Sequence, residues 1–342
     1  VEINMEALKE DRLTLNLRNG ESYEVQKLKR GQNSQSMTSW CGQILGFEEG
    51  VGDANMVIVG QELVGHFTVN HNIYSITHIG DGLHVYYEVN ATKDFAEKAI
   101  RPEKKALGEK NKLPEFADPD YVNNLSQAKS LDNCEIRVLV GFTPEAEAEY
   151  TSLIAQINNL FNLANSALFA GFIGYRLELA HAYRVSYTAT SNFGEDLSRW
   201  RATSDGFMDE VHFLRGLWRA DQCALIVPGN GGVAYLDLEY ENQFSVTGTQ
   251  NFDIYSFHHQ HGHNMLCTHD VVNTIEPGTA PYAGYGHPSG CFRTIMALEG
   301  ACGTEPCPRA NRYSSRFRTE LCDEEWLNTG TNDAKNESRL IM

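Results

Sequence analysis

The segment that most constrains this chain is 258–270, which is rich in histidine. His259 and His263 are four residues apart, a spacing that places two imidazoles on one face of a helix. His269 follows six residues after His263, which is enough chain for the backbone to turn back toward the helix. Three imidazoles that converge from a helix and the loop after it suit a tetrahedral Zn²⁺ with one open position. We therefore predict a single zinc ion held by these three residues, with His258 and His261 as flanking residues outside the ligand phase.

Residue 260 is the position at which a zinc hydrolase with this spacing has its glutamate general base. Here it is Gln260, whose carboxamide has nearly the same shape but does not accept a proton from water. The sequence thus predicts a hydrolase-like site without its proton acceptor. The alternatives are a histidine-rich surface helix and scattered core histidines. The spacing to His269 and a later segment containing methionine argue against both.

Length and charge narrow the possible functions. With 342 residues the chain is long enough for two domains. Its net charge of −17 argues against nucleic acid and anionic membranes as partners. No apolar run approaches the ~18 residues of a membrane span, so we expect no membrane-spanning segment.

The cysteines indicate the compartment. Six of the eight lie between residues 223 and 322, outside any Cys-x-x-Cys spacing. An even number clustered in one region favours disulfides over zinc fingers, although the spacing leaves the pairing open. Because disulfides are typical of secreted proteins, we expect a secreted protein. The chain begins at Val1 rather than Met, so we expect a processed product whose signal peptide has been removed.

The pattern of strands, turns and charges divides the chain into three parts. Residues 1–98 contain short strands separated by turns, which predicts a small antiparallel β domain. Residues 99–130 have the Lys and Pro content of a linker, where a processing protease could cut, or which could be a plain connector. Residues 131–342 mix strands and helices. The predicted fold class is α+β, with an antiparallel β domain ahead of a mixed α/β domain.

One glycine-rich segment carries no phosphate-binding signal. Residues 229–232 lack both the Lys-Ser/Thr of a P-loop and the spacing of a dinucleotide fingerprint. We therefore expect no nucleotide there. A calcium site stays open, with no motif in support of one.

The histidine segment also resembles a known family. Residues 259–270 are similar to the metzincin signature His-Glu-x-x-His-x-x-Gly-x-x-His-Asp, and the Gly-His-Asn in the middle resembles the adamalysin/reprolysin-like branch, including bacterial relatives such as the peptidyl-Asp metallopeptidases. Four further segments resemble that group: 39–42 and the strands around it (propeptide), 136–144 (first strand and helix start), 293–297 (Met-turn) and 329–336 (C-terminal segment).

The resemblance implies the latent precursor of a secreted zinc endopeptidase acting on proteins or peptides, with residues 1–98 as a propeptide that inhibits its own enzyme. It implies a mixed sheet, an active-site helix and an irregular C-terminal subdomain. His259, His263 and His269 correspond to the zinc ligands, Gln260 to the general base and Met296 to the Met-turn residue. The strand along which a substrate lies extended corresponds to Val233, Ala234, Tyr235 and Leu236.

Two positions depart from the family pattern. Gln260 removes the base, and the single near-isosteric change in a complete motif favours an engineered substitution; the alternative is a natural pseudoprotease. Leu266 replaces the motif glycine. A left-handed backbone at a non-glycine residue costs about 1–2 kcal/mol, which puts the turn and the position of His269 in question.

Cys41 is the predicted fourth zinc ligand of the latent form. The Cys41-Gly42 pair resembles the cysteine switch of related zymogens, in which a thiolate displaces the zinc-bound water. The alternatives are a disulfide, for example to Cys134, and a buried thiol. A purely structural zinc site would need a fourth ligand from the catalytic domain, and none is as well placed as the three histidines.

Overall fold

The structure is a computed structural model. It describes residues 3–17, 19–28, 37–47, 52–93, 96–102, 134–273, 282–303, 306–316, 318–322, 325–331, 336 and 340. Most of the predicted linker 99–130 and part of the predicted C-terminal segment 329–336 therefore lie outside the described residues.

The N-terminal region, residues 1–102, contains a seven-stranded sheet in which each strand pairs antiparallel with the next. Its strands are β1 (Arg12–Asn16), β2 (Ser22–Leu28), β3 (Met37–Ile44), β4 (Gly52–Val59), β5 (Glu62–Val69), β6 (Asn72–Gly80) and β7 (Leu83–Val89). Side chains alternate between faces along a strand, and one face buries a core around Val25, Trp40, Ile44 and Phe67. The predicted antiparallel architecture is confirmed for this sheet.

A second, six-stranded sheet has the order β10-β9-β11-β13-β12-β8. Its strands are β8 (Glu97–Ile100), β9 (Glu135–Phe142), β10 (Arg176–Arg184), β11 (Gln222–Val227), β12 (Gly232–Tyr235) and β13 (Phe244–Gly248). All neighbours are parallel except β12 and β13, so the sheet is mixed, as predicted. The expected domain boundary after residue 98 falls inside β8, which belongs to this second sheet.

Helices cover both faces of the second sheet. They are α1 (Pro144–Ala148), α2 (Leu153–Ala170), α3 (Phe193–Arg201), α4 (Glu210–Trp218) and α5 (Ser256–Asn264). Thr143 caps α1, accepting a hydrogen bond from the backbone nitrogen of Ala146 with Pro144 in the first turn. Val138 and Val140 of β9 join the core with α2 and α5, while Leu139 joins the core with α3 and α4.

The first sheet packs on α2. This helix carries buried asparagines where an amphipathic surface helix would be exposed, because the seven-stranded sheet covers them. Asn162 Nδ2 donates to Ser39 Oγ of β3 at 2.6 Å, and Ser166 Oγ donates to Asn55 Oδ1 of β4 at 3.2 Å. The polar side of α2 is therefore an interface with the N-terminal region.

Among its described residues the C-terminal part is irregular, as predicted, apart from the antiparallel strands β14 (Thr319–Cys322) and β15 (Glu325–Asn328). Two disulfides lie here, Cys291–Cys322 and Cys302–Cys307. They confirm the prediction of disulfides for four of the six clustered cysteines, whereas Cys223 and Cys267 are buried thiols. None of the described helices is long and apolar enough to cross a membrane.

Candidate metal centre

Helix α5 is buried along its whole length although it carries four histidines. Two of them have ordinary core partners. His258 Nε2 lies 2.8 Å from Asn311 Oδ1, and His261 contacts Gln222 Oε1 at 2.7 Å and the Tyr175 hydroxyl at 2.9 Å. Each flanking histidine thus has a polar partner within the core, in agreement with their predicted exclusion from the ligand set.

The remaining two histidines of α5 meet His269. The Nε2 atoms of His259 and His263 are 3.0 Å apart, and that of His269 lies 3.2 Å and 3.0 Å from them. Among the described residues, these three form the one group of His, Cys, Asp or Glu side chains arranged to hold a metal. The three predicted ligands therefore converge.

The second ring nitrogens determine how the triad is protonated. His259 Nδ1 lies 2.7 Å from the Ile295 carbonyl, and His263 Nδ1 lies 2.8 Å from the Cys267 carbonyl. A carbonyl oxygen only accepts, so each Nδ1 carries the proton and each Nε2 presents a lone pair. Two lone pairs facing each other at 3.0 Å repel, and a cation between them removes that repulsion. Tetrahedral zinc with bonds of about 2.0–2.1 Å needs nitrogens at roughly this separation, so the residues fit the ion.

The triad is also neutral, as metal ligands must be. Burial lowers the pKa of His263 to about 4. Burial, followed by the neighbouring imidazoles, holds the pKa values of His259 and His269 well below the usual range. At neutral pH no proton has to be displaced from these Nε2 atoms before a metal binds.

The sharp turn after α5 forms although Leu266 replaces the glycine of the motif. Leu266 has a φ of +63°, in the left-handed region that glycine normally occupies. The backbone nitrogens of Leu266 and Cys267 donate to the carbonyls of His263 and Gly262 at 2.9 and 2.8 Å. The sharp turn that was in question therefore forms, and it brings His269 to the triad despite the conformational strain.

Gln260 lies beside the triad with its carboxamide fully buried. Neither of its amide atoms has a hydrogen-bond partner among the described residues. A Cβ added to Gly232 of β12 would lie 2.6 Å from Gln260 Nε2, so the strand approaches the helix closely at this point. Leaving a buried polar group unpaired costs about 1–3 kcal/mol. An unpaired carboxamide at this position is therefore better explained by a functional role than by packing.

Met296 lies beneath α5 and is fully buried. A Cβ at Gly262 would lie only 2.5 Å from the Met296 sulfur, so this glycine allows the helix to rest on the methionine. The preceding residue, Ile295, supplies the carbonyl that orients His259. Asp270 Oδ2 accepts from the backbone nitrogen of Leu298 at 3.0 Å and ties the loop after His269 to the same segment.

The predicted substrate strand is present but is not at an edge. Val233, Ala234 and Tyr235 lie in β12, and Leu236 follows it. The backbone nitrogens of Gly232 and Leu236 donate to the carbonyls of Ala96 and Ile100 at 3.2 and 2.9 Å. Strand β8 of the N-terminal region therefore covers the edge of β12 along which a substrate is predicted to lie.

Sequence reasoning missed Glu97, the first residue of β8. Its buried carboxylate lies 2.9 Å from Arg309 Nη2 and 3.3 Å from His259 Nδ1. Arg309 also donates to the carbonyls of Ile254 and Ala297 at 3.2 Å. A single acidic residue in a short strand gives no signal of such a role, because its partners are more than 150 residues away in the chain.

The structure does not place Cys41 at the triad. Ser39, two residues earlier in β3, contacts Asn162 of α2, so the alternation along the strand turns Cys41 toward α2 as well. Cys41 is absent from the metal-holding group of described residues, and the predicted fourth ligand is therefore corrected. The Cys41–Cys134 bridge is not formed either, since both residues lie outside the two disulfides.

Comparison with known proteins agrees with this geometry. Residues 134–324 match the family described as Metallo-peptidase family M12B Reprolysin-like. The chain is 31% identical over 278 residues to the peptidyl-Asp metalloendopeptidase of Xanthomonas campestris pv. campestris, covering 77% of this chain and 62% of that protein. It is 33% identical over 144 residues to the peptidyl-Asp metalloendopeptidase of Pseudomonas fragi, covering 41% and 74%.

This chain thus spans about 62% of the length of its Xanthomonas relative. Among solved structures, metalloproteinase-II from Bacteroides fragilis superposes with a TM-score of 0.49 at 8% identity, over 85% of this chain and 84% of that one.

Proposed function

Because the chain belongs to the reprolysin-like M12B metallopeptidase family, we propose that it is the latent precursor of a zinc-dependent endopeptidase. The observation that carries the proposal is the convergence of three Nε2 atoms within 3.0–3.2 Å of one another, two of them with the lone pair directed inward. Structural zinc sites close four protein ligands around the ion, whereas three ligands leave the position that catalysis needs.

His259, His263 and His269 would hold the zinc. When bound, the ion would supply a Lewis acid that activates water and polarises a peptide carbonyl. The carbonyls of Ile295 and Cys267 keep the rings of His259 and His263 in the ligating tautomer. The chain's own contribution is therefore a rigid, neutral and buried set of donors.

Gln260 occupies the position of the general base in the family motif, and its carboxamide does not take up a proton at neutral pH. We therefore expect zinc binding with negligible turnover. Substitution by glutamate would place a carboxylate at the same buried position, where burial raises a carboxyl pKa toward the range useful for proton transfer.

The proposed substrates are proteins or peptides that lie extended on β12 by adding a strand to the sheet. The names of the curated relatives suggest peptides containing aspartate. In this chain β8 fills that place and runs parallel to β12. We infer that the N-terminal region is the intramolecular inhibitor, acting through β8 rather than through Cys41, and that maturation cuts within 99–130.

Secretion is part of the same proposal. Disulfides persist in oxidising compartments, and the irregular C-terminal part contains two, Cys291–Cys322 and Cys302–Cys307. The net charge of −17 gives no basis for nucleic acid as a partner.

Two measurements test the proposal. Zinc titration into the metal-free chain should give one tight site, and His263→Ala should weaken it by more than the roughly 10–100-fold typical of losing an outer-shell partner. The matched control His287→Ala should bind as the parent does. Gln260→Glu with zinc should cleave unstructured protein substrates once residues 1–102 have been removed by proteolysis. A chain that takes up no zinc at this site would overturn the proposal.

A second candidate is a pseudoprotease that binds zinc and extended peptides without cutting them, and Gln260 itself is the observation that favours it. The two candidates differ in the Gln260→Glu variant. If that variant, zinc-loaded and relieved of residues 1–102 by proteolysis, binds peptides but cleaves none, the pseudoprotease is the better description.

A further inference from the structure

A second contact between the two parts of the chain, apart from the pairing of β8 with β12, is centred on Asp253. This residue lies in the 3₁₀ helix Thr249–Ile254, directly before α5. Ser75 Oγ and Tyr87 OH donate to its carboxylate oxygens Oδ1 and Oδ2 at 2.9 and 2.8 Å. His66 Nε2 lies 3.1 Å from its backbone carbonyl oxygen. Strands β5, β6 and β7 therefore each contribute one side chain to the same residue, and we call this set the Asp253 latch.

The same strands contact the start of α5. Tyr255 is fully buried and has a φ of +71°, a left-handed conformation that is unfavourable for a bulky residue. Its hydroxyl lies 3.3 Å from Thr68 Oγ1 of β5, and its ring meets the His66 ring edge-on with centroids 5.5 Å apart. The N-terminal region thus holds the beginning of the helix that carries His259 and His263.

His66 is a neutral imidazole in this contact. It is only 1% exposed, and its Nε2 faces a carbonyl oxygen, which only accepts, so Nε2 carries the proton of the neutral ring. The carboxylate oxygens of Asp253 accept from Ser75 and Tyr87 instead, and burial raises the pKa of Tyr87, which keeps it a donor. Burial outweighs the attraction of Asp253 and lowers the pKa of His66 below its ordinary range.

The titratable groups that face His66 come from two elements besides its own sheet. Asp253 of the 3₁₀ helix favours a proton on the ring. His258 of α5 is neutral because burial lowers its pKa to about 3, and burial also raises the pKa of Tyr255. In the neighbouring strands β4 and β6, the residues opposite His66 are uncharged: Asn55 and Ser75. A second proton on His66 would therefore create a buried cation whose nearest carboxylate already has two donors.

We propose that the Asp253 latch keeps the N-terminal region bound after the chain is cut within 99–130, and that mildly acidic pH opens it by protonating His66. The latch lies outside 99–130, so a cut there breaks none of its contacts. Once the two parts separate, His66 is in water and accepts a proton at its ordinary pKa of about 6.5. Release is therefore independent of this group above pH 6.5 and becomes more favourable as pH falls below it. The inference rests on the proposed function only for the role of the N-terminal region as the inhibitor.

The test uses the zinc-free chain with a recognition site for a sequence-specific protease inserted within 103–130. The chain is immobilised through a C-terminal tag and cut, and release of the N-terminal fragment is followed by surface plasmon resonance at pH 7.5 and 5.5. Release should be about tenfold faster at pH 5.5, because a solvated histidine is about nine-tenths protonated there and affinity differences appear mainly in the dissociation rate. His66→Gln keeps an N–H donor for the Asp253 carbonyl but does not titrate, so it should lose most of this acceleration.

The matched control is His181→Gln. His181 stacks on Trp218 and lies in β10, at the opposite edge of the second sheet from β8, so this variant should keep the acceleration by acid. Asp253→Asn should speed release at pH 7.5, because the bonds from Ser75 and Tyr87 lose their charged acceptor.

Equal release of the parent at both pH values, or an unchanged acceleration by acid in a folded His66→Gln variant, would overturn the inference. No step of this experiment needs zinc or cleavage by the chain itself. A failure here therefore differs from a failure of the metallopeptidase proposal, which would show as loss of zinc binding or of cleavage.

Discussion

Glu97 and Arg309 form an ion pair 2.9 Å long in which the two side chains are 0% and 1% exposed. The pair joins the first residue of β8 to the irregular C-terminal part, beside His259 of the histidine triad. The N-terminal region therefore places a buried carboxylate next to Arg309 and His259, in addition to covering the edge of β12.

The first prediction concerns the stability of this pair. Glu97→Ala removes one partner and leaves Arg309 buried and charged, which should lower the free energy of unfolding by about 3–5 kcal/mol. Urea denaturation of the zinc-free chain measures the change. Glu195→Ala breaks the exposed pair with Arg199 and should cost less than about 1 kcal/mol. Similar small losses for both variants would contradict a structural role for Glu97.

The second prediction concerns the pairing of β8 with β12. The carbonyls of Ala96 and Ile100 accept from Gly232 of β12 and from Leu236 just after it, and the parallel ladder turns the N–H of Lys98, in the middle of β8, toward β12. Proline at position 98 lacks this N–H, so the β12 carbonyl opposite it loses its donor and the pairing of β8 with β12 weakens. In the zinc-loaded Gln260→Glu variant, Lys98→Pro should therefore raise the rate of peptide cleavage about tenfold.

Ala99→Pro is the matched control, because the N–H of Ala99 points away from β12. It should change the rate of peptide cleavage much less than Lys98→Pro does. If both variants accelerate cleavage equally, or neither does, β8 does not control access to β12.

The third prediction concerns pH. Burial lowers the pKa values of His258 and His261 to about 3, whereas an unfolded histidine titrates near 6.5. Above pH 6.5 both states are neutral, and stability does not depend on these groups. As pH falls below 6.5, the unfolded chain takes up protons that the folded chain does not, so stability falls until pH reaches about 3.

Between pH 6.5 and pH 5 each of these histidines should reduce the free energy of unfolding by about 2 kcal/mol. Urea denaturation of the zinc-free protein at both pH values measures the loss. His261→Gln should flatten the profile even if it lowers stability at pH 7. A stability independent of pH in this range would refute the burial of these neutral rings.

The fourth prediction concerns Leu266. A left-handed backbone costs a non-glycine residue about 1–2 kcal/mol, so Leu266→Gly should relieve strain while losing side-chain contacts and raising the entropy of the unfolded chain. The net change in stability should be below about 1 kcal/mol, with zinc affinity retained. Leu266→Val places a β-branched residue in the same conformation and should lower both stability and zinc affinity. Differential scanning calorimetry and zinc titration distinguish the two variants, and a harmless valine would show that the turn is not strained.

Much of the candidate site could be predicted from short segments. The spacing of His259, His263 and His269 was sufficient because ligand phase follows from helix geometry and from one turn. The exclusion of His258 and His261 follows from the same phase. Even Leu266, which departs from the expected glycine, left the ligand set unchanged, because local hydrogen bonds to Gly262 and His263 close the turn.

What the sequence could not provide were the contacts between distant parts of the chain. The Cys41-Gly42 pair predicted a zinc ligand, yet the position of Cys41 in β3 turns its side chain toward α2. Glu97 carries no local signal, and its importance comes from Arg309, 212 residues away. Likewise, Asp253 is an ordinary acidic residue in the sequence until β6 and β7 bring Ser75 and Tyr87 to its carboxylate.

The sequence by itself therefore determined which three histidines converge and the mixed α+β architecture, because each depends on the periodicity of a helix or strand over a few residues. Only the tertiary structure decided which part of the N-terminal region meets β12 and which charges are buried with which partners. The physical reason is that sheet order and the pairing of buried charges depend on how distant segments pack together, and no local pattern of residues encodes that packing.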